Sequence, residues 1–149
     1  MGAACVELAW IYYNDKKFSL AQEFYQLACN LKDQGACSSV IEAKSRLDKN
    51  FNKVIPHYKL CQQGYGKSCS LAADFLKEGK QIGEAKKLYE LGCFLNETYS
   101  CNYLGWLYVE EKNENIASYY YQQGCDLGSI YGCEKLASLK ITKITPKDE

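Results

Sequence analysis

Residues 101–125 have the sequence CNYLGWLYVEEKNENIASYYYQQGC, and they show a pattern that recurs along the 149-residue chain. The pattern contains cysteines in pairs, eight positions apart, and successive pairs follow at intervals of 32 residues. The pairs are Cys29 and Cys37, Cys61 and Cys69, Cys93 and Cys101, and Cys125 and Cys133. A fixed period of roughly 20–50 residues is typical of a solenoid or another repeat array. The sequence therefore predicts an internal 32-residue repeat.

Each repeat has the apolar pattern of a helix pair. Apolar residues recur at i, i+3 and i+4 spacing, as in residues 20–28, and glycine, asparagine and aspartate separate such segments. We predict A helices near residues 4–13, 36–47, 68–78 and 100–111, and B helices near 18–32, 52–64, 82–95 and 114–127. These helices form one domain over residues 1–140, with units of about 4–35, 36–67, 68–99 and 100–130 and a capping helix at 131–140. Residues 141–149 are expected to be a loose tail.

The cysteine spacing places a turn inside each pair. Eight residues of α-helix rise about 12 Å, whereas the Cα atoms of bonded cysteines lie roughly 4.4–6.8 Å apart. We predict that each pair forms a disulfide between the end of a B helix and the start of the next A helix. Each nine-residue loop would then stabilise the fold by roughly 2.5 kcal/mol. Zinc coordination remains open, although zinc ligands usually have closer spacing and His57 is the only histidine; free buried thiols also remain open.

Cys5 lies 32 residues before Cys37 and therefore occupies the second position of a pair. We expect it to be unpaired here, with its partner and a signal peptide upstream of residue 1. An intermolecular disulfide or a reactive thiol is the alternative for Cys5. The disulfide interpretation as a whole implies an oxidising compartment.

Composition argues against several classes of function. Lys plus Arg and Asp plus Glu both number 18, so the basic excess of a nucleic-acid-binding protein is absent. No run of about 18 apolar residues predicts membrane insertion. No cofactor or metal motif is present, and His57 occupies a column otherwise filled by tyrosine, which favours a packing role. The oligomeric state is not predicted.

Residues 101–108 followed by residues 117–125 resemble the Sel1-like repeat, a relative of the tetratricopeptide repeat. Leu104-Gly105 and Tyr108 match its helix A signature, and Ala117 with Tyr120-Tyr121 matches its helix B signature. The cysteine pair in every unit is similar to the Helicobacter cysteine-rich protein family. The resemblance covers residues 3–140, with a shorter period than is usual. It implies a right-handed α/α superhelix, a secreted or periplasmic location and a role in protein–protein interaction.

The same resemblance implies that the A helices line the concave face. We expect three exposed columns there, one, five and eight residues after the second cysteine of each pair. The first is Val6, Ser38, Ser70 and Asn102; the second is Trp10, Glu42, Asp74 and Trp106; the third is Tyr13, Ser45, Lys77 and Val109. Tryptophan and tyrosine are common anchors of binding hot spots. We therefore predict that Trp10, Tyr13, Glu42, Asp74, Lys77, Asn102 and Trp106 bind an extended peptide or protein segment with apolar ends and a basic centre.

The same residues allow other functions. The two tryptophans can instead pack against neighbouring helices. Some relatives imply a penicillin-binding or β-lactamase-like enzyme, but the Ser-x-x-Lys motif of that chemistry is missing. Glu42 and Asp74 are poor candidates for general acid–base catalysis, because we expect no histidine or nucleophile near them. A redox protein is less favoured still, because the strained C-x-x-C arrangement is absent.

Overall fold

The structure is a computed structural model that describes the backbone of residues 1–144 and the side chains of residues 1–140. Over this range the chain is all-α and has nine helices and no strand. The helices are α1 (Gly2–Asn14), α2 (Phe18–Asn30), α3 (Gln34–Leu47), α4 (Val54–Gln62), α5 (Gly66–Glu78), α6 (Ile82–Phe94), α7 (Thr98–Glu110), α8 (Glu114–Asp126) and α9 (Ile130–Ile144). Odd-numbered helices are the A helices and even-numbered ones are the B helices. The predicted all-α solenoid is confirmed.

The turns repeat with the same period as the cysteines. Left-handed residues follow each B helix, at Lys32, Gly64, Asn96 and Gly128. Left-handed residues also lie between A and B helices in three units, at Lys16, Lys80 and Lys112. Such a residue ends a helix and turns the chain sharply, which allows the next helix to pack back on the last. In the second unit the equivalent residue, Asp48, has φ −129° and an extended backbone.

The second unit departs from the pattern because its B helix is short. α4 has nine residues, whereas α2 has thirteen, and the segment 48–53 precedes it. We predicted a helix from residue 52 to residue 64. A helix that began at residue 52 would need an amide hydrogen at Pro56, which proline lacks; starting at Val54 keeps Pro56 in the first turn, where no donor is needed.

The last helix is longer than predicted. We expected the capping helix to end at residue 140 and the chain to be loose from Ile141, but α9 continues to Ile144. The remainder of the predicted tail, residues 145–149, lies outside the described residues.

Four disulfides join consecutive units, and they are the predicted ones: Cys29–Cys37, Cys61–Cys69, Cys93–Cys101 and Cys125–Cys133. Their Cα atoms lie 4.5–4.6 Å apart, within the range for a disulfide. These eight cysteines are therefore neither zinc ligands nor free thiols. Cys5 is unpaired and partly exposed.

Two separate apolar clusters form most of the interior up to α7, and buried residues such as Ala117, Tyr121 and Leu136 continue it in α8 and α9. One lies among α1, α2 and α3 and is built largely from fully buried alanines such as Ala9, Ala21 and Ala28, which let the helices approach closely. The other extends from Cys61 to Leu104, across α4 to α7. α3 packs on α2 and α4 packs on α5, while α3 and α4 touch each other at few points. The boundary between α3 and the α4–α5 pair, which we call the seam, thus separates the two clusters.

Candidate functional site

The seam is crossed by a chain of polar contacts that begins at Glu42 on α3. His57 Nε2 on α4 donates to Glu42 Oε1 at 2.8 Å, and Lys53 Nζ donates to Glu42 Oε2 at 3.1 Å. His57 Nδ1 lies 3.2 Å from Ser68 Oγ on α5, and Ser68 Oγ lies 2.7 Å from Ser38 Oγ on α3. The His57 hydrogen bond is the main reason that the pKa of Glu42 lies below its ordinary value. Both oxygens of this carboxylate are therefore committed within the protein.

Our expectation that no histidine lies near Glu42 is wrong. Glu42, His57 and Ser68 stand in the order carboxylate, imidazole and hydroxyl, as in a hydrolase triad. His57 is only 1% exposed and Ser68 is 0% exposed. A nucleophile must reach its substrate, and this hydroxyl is enclosed by α3 and α4. The arrangement fits a buried polar network, in which every member has a partner.

Asp74 on α5 occupies the position equivalent to Glu42, and tyrosines replace the histidine. Tyr89 donates a short hydrogen bond to Asp74 Oδ1, and Tyr99 donates to the same oxygen at 3.3 Å. Burial is the largest cause that raises the pKa of Tyr99 to about 12, and the charge of Asp74 adds to it. Burial and the Asp74 hydrogen bond also raise the pKa of Tyr89. Both hydroxyls therefore remain protonated donors at neutral pH.

Trp10 lines a groove between the A helices α1 and α3. Its side chain is 60% exposed. The groove has a volume of about 590 Å³, and its walls include Val6, Trp10, Tyr25 and Ala36. Glu7, Asp33 and Lys67 also line it. Apolar concavities with a few polar groups are the usual form of a binding site.

Trp106 lines a second groove, between the A helices α7 and α9, which lies 96 residues further along the repeat lattice. Its side chain is 43% exposed. The volume is about 320 Å³, and the lining residues are Tyr99, Asn102, Tyr103, Trp106 and Tyr131. The two tryptophans thus occupy equivalent positions in grooves formed by consecutive A helices. Neither is a core residue.

The first of the three predicted columns is not an exposed surface. Ser38 and Ser70 are buried, and Ser70 Oγ donates to the Lys67 carbonyl at 2.9 Å. Asn102 lines the Trp106 groove, but its Nδ2 donates to Ser129 Oγ at 2.8 Å and its Oδ1 is buried without a partner. The two middle members of the column are therefore buried rather than exposed, while its end members, Val6 and Asn102, line grooves.

The third column is better exposed but partly engaged. Tyr13 Oη accepts a hydrogen bond from Arg46 Nε at 3.1 Å. Lys77 Nζ lies 4.6 Å from the Tyr103 ring centroid and 3.8 Å from Asp74 Oδ1. Tyr103 thus connects the pair of Lys77 and Asp74 to the Trp106 groove, which it lines.

Sequence reasoning missed the tyrosines that build this surface. Tyr99 and Tyr131 occupy one column, which also contains Gly35 and Lys67, and Tyr103 lies next to Asn102. The high tyrosine content, 13 residues, was the available signal. The sequence does not place these tyrosines on one face, because the column that holds Tyr99 and Tyr131 has no common residue type.

This arrangement defines a helical repeat protein with exposed aromatic grooves along its A helices. Comparisons of the sequence with protein-family models and with curated proteins find no match. Among solved structures, a Sel1 repeat protein from Oxalobacter formigenes matches with a TM-score of 0.70 and 16% identity, over 93% of this chain. The chain spans 63% of the length of that protein.

A second solved structure shares the cysteine-rich character. Helicobacter pylori cysteine rich protein B matches with a TM-score of 0.62 and 27% identity, over 80% of this chain and 94% of its own. The chain therefore has the fold of Sel1-like repeat proteins, and the resemblance found in the sequence is confirmed. Across the described helices, none has the length and apolar character needed to cross a bilayer.

Proposed function

We propose that the chain is a non-catalytic scaffold that binds an extended segment of a partner protein along its A helices, in an extracytoplasmic compartment. The observation that carries the proposal is the pair of exposed tryptophans, Trp10 and Trp106, in equivalent grooves. Solenoids use such extended faces for binding, since neighbouring units present a continuous surface. The four disulfides are typical of an oxidising compartment.

Each predicted contact residue has a role in this proposal. Trp10 and Trp106 anchor apolar side chains of the partner, Tyr13 and Lys77 lie at the polar rim, and Asn102 lines the Trp106 groove, where its hydrogen bond to Ser129 holds it in place. Asp74 remains partly exposed and can meet a basic group, whereas Glu42 is committed to His57 and Lys53. The basic part of the ligand therefore lies nearer Trp106 than the midpoint of the column.

A displayed library of random peptides tests the proposal. Peptides selected on the oxidised protein should bind it in solution, and the double variant Trp10→Ala/Trp106→Ala should weaken binding at least tenfold, the loss expected for a truncated hot spot. Phe94→Ala is the matched control, because Phe94 is an aromatic residue that is 82% exposed on a B helix. Binding that survives the double variant, or that needs Phe94 instead, overturns the assignment of the face.

The alternative function is a penicillin-binding or β-lactamase-like enzyme, and only the order of Glu42, His57 and Ser68 favours it. The burial of Ser68 argues against it. Incubation with a fluorescent penicillin discriminates the two functions. If the protein is labelled by the penicillin or hydrolyses it, and the Ser68→Ala variant does neither, the scaffold proposal is wrong and the enzyme function is supported.

A further inference from the structure

The Trp106 groove continues into a wall of tyrosine rings. Tyr99 and Tyr103 are stacked with ring centroids 6.3 Å apart, and Tyr103 lies 5.5 Å from Trp106. The ring centroid of Tyr89 lies 4.3 Å from that of Tyr103 and 6.3 Å from that of Tyr99. The faces of these rings carry negative potential and attract cations.

A carboxylate stands beside this wall. Asp74 Oδ1 accepts from Tyr89 and Tyr99, which fix its orientation. Among the described residues, the hydrogen bonds to Asp74 all end on Oδ1, so Oδ2 has no donor there. The side chain is 35% exposed, which leaves it accessible from solvent.

The protein already places an ammonium group at this point. Lys77 Nζ lies 4.6 Å from the Tyr103 centroid but 3.8 Å from Asp74 Oδ1, a loose contact for an ion pair. Such a partly exposed pair contributes little stability and is easily displaced. A second lysine, Lys135, lies 5.4 Å from the Tyr131 ring of the same groove. Both contacts show that the rings of this surface accept cations.

The equivalent carboxylate one unit earlier provides an internal contrast. Glu42 Oε1 accepts a hydrogen bond from His57 Nε2 at 2.8 Å, and Glu42 Oε2 accepts one from Lys53 Nζ at 3.1 Å. It therefore has no free oxygen for a ligand, and the ring that contacts it is the imidazole of His57 rather than a tyrosine. Of the two carboxylates in the column, only Asp74 combines a free oxygen with aromatic neighbours.

We propose that Asp74, Tyr99, Tyr103 and Trp106 form a subsite for a lysine or arginine side chain of the bound segment, and that Lys77 occupies this subsite when no ligand is present. The subsite rests on the proposed scaffold function and specifies one anchor of its ligand. The incoming cation takes the free oxygen of Asp74 and a ring face, and the Lys77 ammonium moves into solvent. Arginine fits well, because its planar guanidinium can pair with the carboxylate while it stacks on a ring.

The test uses N-acetyl-arginine methylamide and its neutral analogue N-acetyl-citrulline methylamide as probes. In an NMR titration of the full chain, the arginine compound should shift the Trp106 indole resonance and the citrulline compound should not. Asp74→Asn should weaken arginine binding about tenfold, whereas Lys77→Met should strengthen it severalfold by emptying the site. Glu42→Gln is the control and should leave the affinity unchanged.

Opposite effects of Asp74→Asn and Lys77→Met are the signature of the subsite, because a purely apolar groove would show neither. Asparagine can still accept a hydrogen bond from Tyr89, so the Asp74→Asn variant should keep its fold, as judged by circular dichroism. If this variant unfolds, the arginine affinity of Lys77→Met alone tests the subsite. Equal binding of citrulline, unchanged affinity in Lys77→Met, or no shift with either compound overturns the subsite. The scaffold proposal fails separately, if selected peptides ignore Trp10 and Trp106.

Discussion

At the residue scale, the A-helix column of Trp10, Glu42, Asp74 and Trp106 is matched to a B-helix column that lies fifteen residues later. Glu42 faces His57 and Asp74 faces Tyr89, so each acid has a donor in its own unit. The repeat lattice identified both columns from the sequence. It did not show that they meet, because periodicity gives the spacing along each helix but not the rotation of one helix against the other.

The glycine of the helix A signature is required by close packing. A Cβ atom on Gly105 would lie 2.6 Å from the ring of Tyr121. We expect Gly105→Ala to lower the free energy of unfolding by about 1–3 kcal/mol, since the buried ring must shift. Gly83→Ala is the control, because a Cβ there meets nothing within 4 Å; it should be neutral or slightly stabilising in the same chemical denaturation experiment. A neutral Gly105→Ala would contradict the packing argument.

The Glu42 network makes stability depend on pH. The hydrogen bond from His57 is the largest cause that lowers the pKa of Glu42 below 4.5, and the contact with Lys53 lowers it further. Burial of the carboxylate opposes both effects. The charge of Glu42 also acts on the nearby Arg46. The folded state thus binds a proton on Glu42 more weakly than the unfolded state. The resulting stability is fully present above the ordinary pKa and is lost as the pH falls through the folded pKa.

Glu42→Gln should therefore lower the free energy of unfolding at neutral pH by about 1–2 kcal/mol, the loss of a charged hydrogen bond. It should also flatten the decline in melting temperature as the pH falls below 4.5. Melting temperatures across this range, followed by circular dichroism, measure both effects. Parallel profiles for the two proteins would show that Glu42 is not the titrating group.

At the scale of the element, the helices differ in how much support they need. The lattice predicted their positions to within a few residues. The largest differences are the late start of α4, which Pro56 explains, and the continuation of α9 past residue 140. An isolated helix of nine residues is unstable in water, so α4 depends on its neighbours. The Cys61–Cys69 disulfide ties its last turn to α5.

Removing that disulfide should therefore cost more than removing the equivalent one at the end of the solenoid. Loop closure alone gives roughly 2.5 kcal/mol for each. Cys61→Ala/Cys69→Ala should show a lower melting temperature than Cys125→Ala/Cys133→Ala, whose helices α8 and α9 have 13 and 15 residues. Dithiothreitol should lower the melting temperature of the unaltered protein further. The reverse order of the two variants would mean that α4 is stabilised mainly by other contacts.

At the scale of the whole molecule, the seam separates the two apolar clusters. Burial of apolar surface is the dominant stabilising effect in folding, and the seam replaces much of it with Glu42, His57, Ser38 and Ser68. In the sequence, the second unit departs from its neighbours at His57, which stands in a column otherwise filled by tyrosine. The sequence did not indicate a division of the core, because that depends on the sparse packing between α3 and α4.

Hydrogen exchange measures the consequence for dynamics. Amides of α4 should exchange faster than those of the equivalent B helices α2, α6 and α8, because α4 is short and packs chiefly on α5. When Glu42→Gln weakens the seam, exchange should become faster in α4 by a larger factor than in any of the other B helices. Uniform protection of all four B helices would show that the solenoid opens as one cooperative unit.

The eight-residue separation of each disulfide has a consequence for a cleaved chain. Each bond encloses only the turn between two units, so no bond connects residues on opposite sides of the segment 48–53. A single protease cut in that segment leaves two fragments with no covalent link, even without a reductant, and each keeps its own apolar cluster. The polar contacts of Glu42, His57, Ser38 and Ser68 would help to rejoin such fragments, so we expect their reassociation to weaken as the pH falls and Glu42 is protonated.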